Sequence, residues 1–88
     1  MKKERTNKPA FESRLNHIRG TVWENVGGDG RPWFNTTIAR RYQDGETWKE
    51  VATFNGLADL ALVAEVVRTC QDFIRRQEQQ GSDSSEND

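Results

Sequence analysis

Aromatic, β-branched and basic side chains alternate along residues 33–42, WFNTTIARRY, and this alternation predicts a β-strand at the centre of the chain. Successive side chains of a strand point to opposite faces of a sheet. The flanking segments 14–24 and 48–55 divide in the same way, so we expect three antiparallel strands, with four as the alternative. One face of the sheet is then mostly aliphatic and contains Ile18, Val22, Phe34, Ile38 and Val51.

Glycine and proline mark the connections between these strands. Asp44-Gly45 supplies the positive φ angles of a tight hairpin, whereas residues 26–32, VGGDGRP, form a longer flexible loop. A slip of one residue in that loop would exchange the two faces of the first strand, so the register between the first two strands stays open. Gly20 lies inside the first strand, where a glycine often marks a bulge or a close approach of another group.

An amphipathic helix is predicted from Asp59, which is well placed as an N-terminal cap, to about Gln77, with Arg75 and Arg76 at its C-terminal end. Its apolar positions recur at steps of three and four, and we expect this stripe to cover the aliphatic face of the sheet. The stripe consists of Leu60, Val63, Val67, Cys70 and Ile74, widened by Leu62, Val66 and Phe73. The expected fold class is therefore α+β, an antiparallel sheet followed by one C-terminal helix packed on one face.

Composition limits the foldable part of the 88 residues to a single β-β-β-α domain over residues 12–77. Residues 1–11 have the composition of a basic flexible arm, and residues 78–88 that of an acidic disordered tail. The domain between them carries nine basic and nine acidic side chains, so a positive patch depends on their placement on one face. No stretch is long and apolar enough for a membrane span, and a single cysteine agrees with a reducing compartment, so a cytoplasmic location is expected.

Catalytic and metal chemistry find little support in the sequence. The only histidine, His17, is on a strand, and the only cysteine, Cys70, is on the apolar stripe of the helix. One histidine and one cysteine do not make a structural zinc site, which takes four ligands. The loop at residues 26–32 lacks the lysine and the hydroxyl residue of a phosphate-binding loop and leads into a strand. We therefore expect no enzyme, no catalytic residues, no metal and no cofactor.

The second face of the sheet collects large aromatic residues that one helix cannot cover, including Phe54. The first hypothesis is that this face binds nucleic acid, with rings that stack on bases, basic residues that meet phosphates, and Thr21, Asn35 and Thr37 as short polar contacts. The residues predicted to bind are Arg19, Trp23, Trp33, Arg41, Trp48 and Lys49. The alternative is a homodimer interface formed by the tryptophan face or by the outer side of the helix, without nucleic acid. A purely structural role, in which a tryptophan packs over Gly20, is also open.

With strands that are followed by one helix and a basic, aromatic sheet face, residues 14–77 resemble the single-stranded-DNA-binding fold of the transcriptional coactivators and the Whirly proteins. The resemblance implies a curved antiparallel sheet whose residues hold unpaired strands, and helices that pair in a dimer. The six residues named above match the binding role. The segments GTVWEN and YQDGETWKE also resemble short uncharacterised bacterial proteins, and that likeness implies no activity.

Overall fold

In a computed structural model, which describes the backbone of residues 8–86 and the side chains of residues 8–79, the chain forms four strands and one helix. The elements are β1 (Lys8–Leu15), β2 (Ile18–Val26), β3 (Pro32–Asp44), β4 (Thr47–Val51) and α1 (Gly56–Glu86). The four strands form one antiparallel sheet in the order β1-β2-β3-β4, and α1 packs on one of its faces. The α+β fold class predicted from the sequence is confirmed, with four strands.

The prediction of a single first strand over residues 14–24 was wrong. Residues 16 and 17 form a tight turn there, and Asn16 adopts a positive φ of 56°, which asparagine tolerates better than most residues. Lys8–Phe11, predicted as part of a basic arm, instead begins β1, which accommodates Pro9 at the sheet edge beside a bulge. The rest of the predicted arm, residues 1–7, lies outside the described residues.

The register between β2 and β3 sets the two faces of the sheet. Gly20 pairs with Ile38 and Val22 with Thr36, so the aliphatic residues of both strands share the helix side, as the alternation predicts. The tight hairpin predicted from Asp44-Gly45 is present, but its two turn residues are Gly45 and Glu46, and of these only Gly45 adopts a positive φ, of 65°. Asp44 is the last residue of β3 and pairs with Thr47. Phe54 was placed on the wrong face: β4 ends at Val51, and the chain beyond it brings Phe54 against the core.

The core is centred on Ile18 and Val22 of β2 and on Val66 and Cys70 of α1, all nearly inaccessible to solvent. Gly20 lies between these residues on the helix side of the sheet. A Cβ atom at this position would lie 2.5 Å from Val66 Cγ1 and 3.0 Å from Cys70 Sγ. The missing side chain therefore lets the helix approach β2 closely, and burial at this contact raises the pKa of the Cys70 thiol.

Most of the predicted apolar stripe of the helix faces the sheet, and six of its eight residues lie in or against the core: Leu62, Val63, Val66, Cys70, Phe73 and Ile74. Val66 and Cys70 face the core, whereas Leu60 and Val67 lie on the outer side and are 52 % and 42 % exposed. Because α1 lies mainly over β1 and β2, Val51 on β4 is only half-buried and stays outside the core. Apolar residues occur around more than half of the helix, so periodicity alone does not fix the limits of the buried side.

The helix is also longer than predicted. It continues past Arg75 and Arg76 to Glu86, so most of the segment predicted as a disordered tail is helical, and residues 87–88 lie outside the described residues. Arg75 pairs with Asp72 one turn earlier and does not end the helix. Within the part of the chain that the structure describes, no helix is long and apolar enough to cross a membrane.

Asp59 fastens the first turn of α1 to the rest of the fold. It lies three residues inside the helix, and its Oδ2 accepts a hydrogen bond from the backbone N–H of Asn55 at 2.7 Å. Its Oδ1 accepts one from His17 Nε2 in the β1–β2 turn, also at 2.7 Å. The hydrogen bonds from Asn55 and His17 hold the pKa of Asp59 below its ordinary value, since both favour the ionised carboxylate.

The lowered pKa of Asp59 predicts a dependence of stability on pH. A carboxylate whose folded-state pKa is depressed contributes fully above its unfolded-state pKa, and this contribution is lost as the pH falls through the folded-state pKa. Asp59→Asn should therefore lower the urea midpoint of unfolding at pH 6. The difference between the midpoints of the variant and the wild type should become smaller as the pH falls below about 4. Circular dichroism at several pH values measures both midpoints. A difference that stays constant down to pH 2 would contradict this role.

Candidate functional site

The sheet face opposite α1, here called the open face, is covered by no other element within residues 8–86. Strand pairing places tryptophan, arginine, threonine and asparagine side chains of neighbouring strands next to one another on this face. Its residues are Glu12, Arg14, Arg19, Thr21, Trp23, Asn25, Trp33, Asn35, Thr37, Ala39, Arg41, Gln43, Trp48 and Glu50.

Two of the three tryptophans lie at one end of the open face, which we call the tryptophan end (Trp23, Asn25, Trp33 and Asn35). Trp23 pairs with Asn35 and Asn25 with Trp33, so the two indole rings are diagonal neighbours on adjacent strands. Trp23 is half-buried, and its Nε1–H donates a hydrogen bond to Thr37 Oγ1 at 3.1 Å, which fixes the direction of the ring. Trp33 is 52 % exposed. This end therefore offers one anchored ring and one accessible ring.

Amide groups lie beside these rings. Asn25 Nδ2 donates to Asn35 Oδ1 at 3.1 Å, across the β2–β3 pair. Each amide keeps further donor and acceptor capacity, since an asparagine side chain has two N–H donors and a carbonyl oxygen that accepts twice. The tryptophan end thus combines an aromatic surface with donors and acceptors that can form hydrogen bonds with a planar polar ligand.

The other end of the face, the arginine end, contains Arg19, Arg41, Trp48 and Glu50. The guanidinium carbon of Arg41 lies 4.9 Å from the centre of the Trp48 ring, a cation–π contact. Arg19 Nη2 lies 2.7 Å from Glu50 Oε2, and Arg41 Nε lies 3.9 Å from the same oxygen. Arg19 also approaches Glu12, with Nη1 at 3.4 Å from Oε2. Both arginines are thus held in place, and their charges are partly balanced.

The contact between Arg19 and Glu50 reaches across β3. Arg19 is on β2 and Glu50 on β4, so their contact crosses two strand spacings, about 9.6 Å. Ala39 of β3 pairs with Arg19 and Arg41 pairs with Glu50, so the contact crosses β3 diagonally past the short side chain of Ala39.

The two ends are well separated along the sheet. Trp23 pairs with Asn35 and Trp48 with Gln43, and these two positions of β3 are eight residues apart, about 26 Å at about 3.3 Å per residue. The three tryptophans therefore do not form one continuous surface. A ligand that contacts all of them must be extended.

Five of the six residues predicted to bind lie on the open face, and Lys49 does not. Lys49 pairs with Tyr42 on the helix side of the sheet, and its Nζ lies 3.1 Å from Asp44 Oδ2. Period-two alternation within β4 separates it from Trp48 and Glu50, so it does not share the face of the other five residues. No tryptophan packs over Gly20 either, because Gly20 faces α1.

Sequence reasoning missed the two carboxylates, Glu12 and Glu50, that bind Arg19. Glu12 was assigned to no strand, since β1 was not predicted. Glu50 was on the expected face, but its contact with Arg19 depends on the register of three strands at once. Its alternation with Trp48 along β4 was the available signal.

The described residues offer little support for a metal site or an enclosed pocket. Among them, no three His, Cys, Asp or Glu side chains are grouped so that they could hold a metal ion. A depression of about 420 Å³ lies beside the β1 bulge and is open to solvent. It is lined by Lys8, Pro9, Ala10, Glu24 and Val26. The open face remains the most developed candidate surface.

These features define a small α+β protein with a four-stranded antiparallel sheet, one long helix and an uncovered, aromatic and arginine-bearing sheet face. Comparison with protein-family models, with curated proteins and with solved structures gives no match. The resemblance to the coactivator and Whirly fold stays a prediction.

Proposed function

We propose that this protein binds single-stranded nucleic acid along the open face and catalyses no reaction. The observation that supports this most directly is that all three indole rings share one uncovered sheet face, with Trp33 52 % and Trp48 57 % exposed. Stacking of a base on an aromatic side chain contributes about 1–3 kcal/mol and tolerates any base, because every base has a π face. Rings that would otherwise lie in water gain a partner in this way.

The spacing of the rings favours an extended single strand over a duplex. Bases in a duplex are stacked on each other and present only their edges, whereas those of a single strand are free to lie on protein rings. Two stacking positions about 26 Å apart suit a strand that runs roughly along β3. Arg19 lies between the two ends and Arg41 beside Trp48, so both guanidinium groups lie near the path of the phosphates.

Titration of the intrinsic tryptophan fluorescence with an unlabelled poly-thymidine oligonucleotide tests this function. We expect quenching that saturates, and that weakens when the salt concentration is raised, because phosphate binding releases counterions. A duplex of the same length is the matched control and should quench less. Unchanged fluorescence at low salt with the single strand would contradict the proposal.

A second candidate function is homodimerisation through the outer side of α1. Leu57, Leu60 and Val67 are 85 %, 52 % and 42 % exposed, and their spacing of three and seven residues aligns them along one side of the helix. Two copies related by a two-fold axis would bury these residues against each other. Such a contact suits a small domain with a limited core, and it leaves the open face accessible.

The same experiment distinguishes the two candidates when the mass in solution is measured beside it. A dimer mass by sedimentation equilibrium, together with no response to the oligonucleotide, would favour protein contact as the sole role. A response to the oligonucleotide supports nucleic-acid binding with either mass, since the helix and the open face lie on opposite sides of the sheet.

We place this binding in the cytoplasm. Cys70 is buried and forms no disulfide, which is typical of proteins in reducing compartments.

A further inference from the structure

The arginine end of the open face contains a position where two guanidinium groups approach one oxygen. That oxygen is Oε2 of Glu50, at 2.7 Å from Arg19 Nη2 and 3.9 Å from Arg41 Nε. Both arginines are about two-thirds buried or more, so water competes only in part for their charges. Planar guanidinium groups bind phosphate oxygens with the same geometry as they bind carboxylate oxygens.

Resting on the proposed function, we propose that this position binds one phosphodiester of a single strand, and that Glu50 occupies it in the free protein. Binding then exchanges one anion for another: a phosphate oxygen replaces Glu50 Oε2 between Arg19 and Arg41, and the carboxylate turns into solvent. Glu50 thus acts as a built-in competitor that lowers the affinity of the face for nucleic acid.

The surroundings of Glu50 permit this exchange. Its side chain is 37 % exposed and lies on β4, a five-residue edge strand, so a rotated carboxylate reaches water without disturbing the core. The ion pair with Glu50 lies near the surface, and water solvates the carboxylate once it turns outward. Release of Glu50 is therefore not a large barrier to binding.

Both arginines keep a second contact after Glu50 leaves. Glu12 Oε2 lies 3.4 Å from the other terminal nitrogen of Arg19, and Arg41 remains over the ring of Trp48. The cations consequently stay oriented toward the vacated position, which reduces the ordering required when the phosphate arrives. The exposed part of the Trp48 ring is then available to a base attached to that phosphodiester.

Charge-neutralising variants of two nearby carboxylates test this inference. Glu50→Gln should bind poly-thymidine about tenfold more tightly than the wild type at low salt, because one competing charge within contact distance of the phosphate is removed. Glu46→Gln is the matched control, since it makes the same change in net charge in the β3–β4 turn and outside the open face. Its affinity should differ from that of the wild type much less.

A second probe separates the phosphate position from base stacking. An abasic oligonucleotide of equal length has the phosphates without the bases, so Glu50→Gln should improve its binding by a similar factor. In the double variant Arg19→Gln/Glu50→Gln the gain should largely disappear, since one of the two freed cations is missing. Thermal unfolding of each variant by circular dichroism verifies that it is folded.

The outcomes for this inference and for the proposed function differ. If the wild type binds poly-thymidine and Glu50→Gln binds no tighter than Glu46→Gln, the inference is wrong and the proposed function stands. If Glu50→Gln gains affinity for both oligonucleotides and loses it again with Arg19→Gln, the inference is supported. If neither the wild type nor Glu50→Gln binds either probe, both are wrong.

Discussion

Gly20→Ala is expected to destabilise the fold by about 1–3 kcal/mol, the usual effect of extra volume in a packed core. The added Cβ would lie 2.5 Å from Val66 Cγ1, 3.0 Å from Cys70 Sγ and 3.1 Å from Ile38 Cδ1. Val66 has no solvent exposure, and a β-branched side chain in a helix has one strongly preferred rotamer, so it does not turn aside. The helix must move away from β2. Urea unfolding followed by circular dichroism measures the loss.

Two further variants separate this steric effect from a general effect of replacing glycine. Gly28→Ala in the β2–β3 loop is the matched control, because no atom beyond its two chain neighbours lies within 4 Å of its added Cβ, and it should change stability by less than about 0.5 kcal/mol. Val66→Ala removes the closest atom, so the double variant Gly20→Ala/Val66→Ala should lose less stability than the sum of the single losses. Simple additivity would mean that the close approach at Gly20 is not the cause.

Trp33→Ala is expected to weaken poly-thymidine binding by about 1–3 kcal/mol, roughly 5- to 150-fold, the contribution of one stacked base. Trp33 is the more accessible ring of the tryptophan end and contacts solvent over 52 % of its surface. Because it lies opposite the core, its truncation should change the free energy of unfolding little. A direct binding measurement, such as fluorescence anisotropy of a labelled oligonucleotide, replaces tryptophan quenching for this variant.

The choice of substituents sharpens this test. Trp33→Phe keeps a flat aromatic face and should retain most of the affinity. Val26→Ala is a control at the same hairpin, because Val26 is 72 % exposed but lies on the helix side of the sheet. Wild-type affinity in Trp33→Ala, in a protein that does bind the oligonucleotide, would remove Trp33 from the site.

Local signals in the sequence identified the central part of the sheet. Alternation along residues 33–42 assigned the faces of β3, and Asp44-Gly45 located the hairpin, because both depend on neighbouring residues only. β1 was missed since its first residues, Lys8 and Pro9, resemble a polar terminus, and since the turn at Asn16 has no glycine. A strand of that kind is stabilised by its pairing with β2 more than by its own composition.

Features that depend on contacts distant in sequence were less predictable. Periodicity predicted the helix and most of its buried side, but not that Leu60 and Val67 stay outside the core. That detail follows from how Val66 and Cys70 fill the space above Gly20. In the site, alternation placed Trp23, Trp33 and Trp48 on one face, yet the separation of about 26 Å between the two ends follows only from the register. The ion pairs of Arg19 with Glu12 and Glu50 likewise depend on the alignment of all four strands.

Cys70 is buried between α1 and the sheet, so its thiol can report on local opening of the fold. The thiol is only 2 % exposed and lies against Gly20, so an alkylating reagent reaches it only while the helix is lifted from the sheet. The rate of modification then measures how often this opening occurs, in the same way as the exchange of a protected amide hydrogen. Because it is the chain's one cysteine, the label reports on a single place in the fold without any engineering.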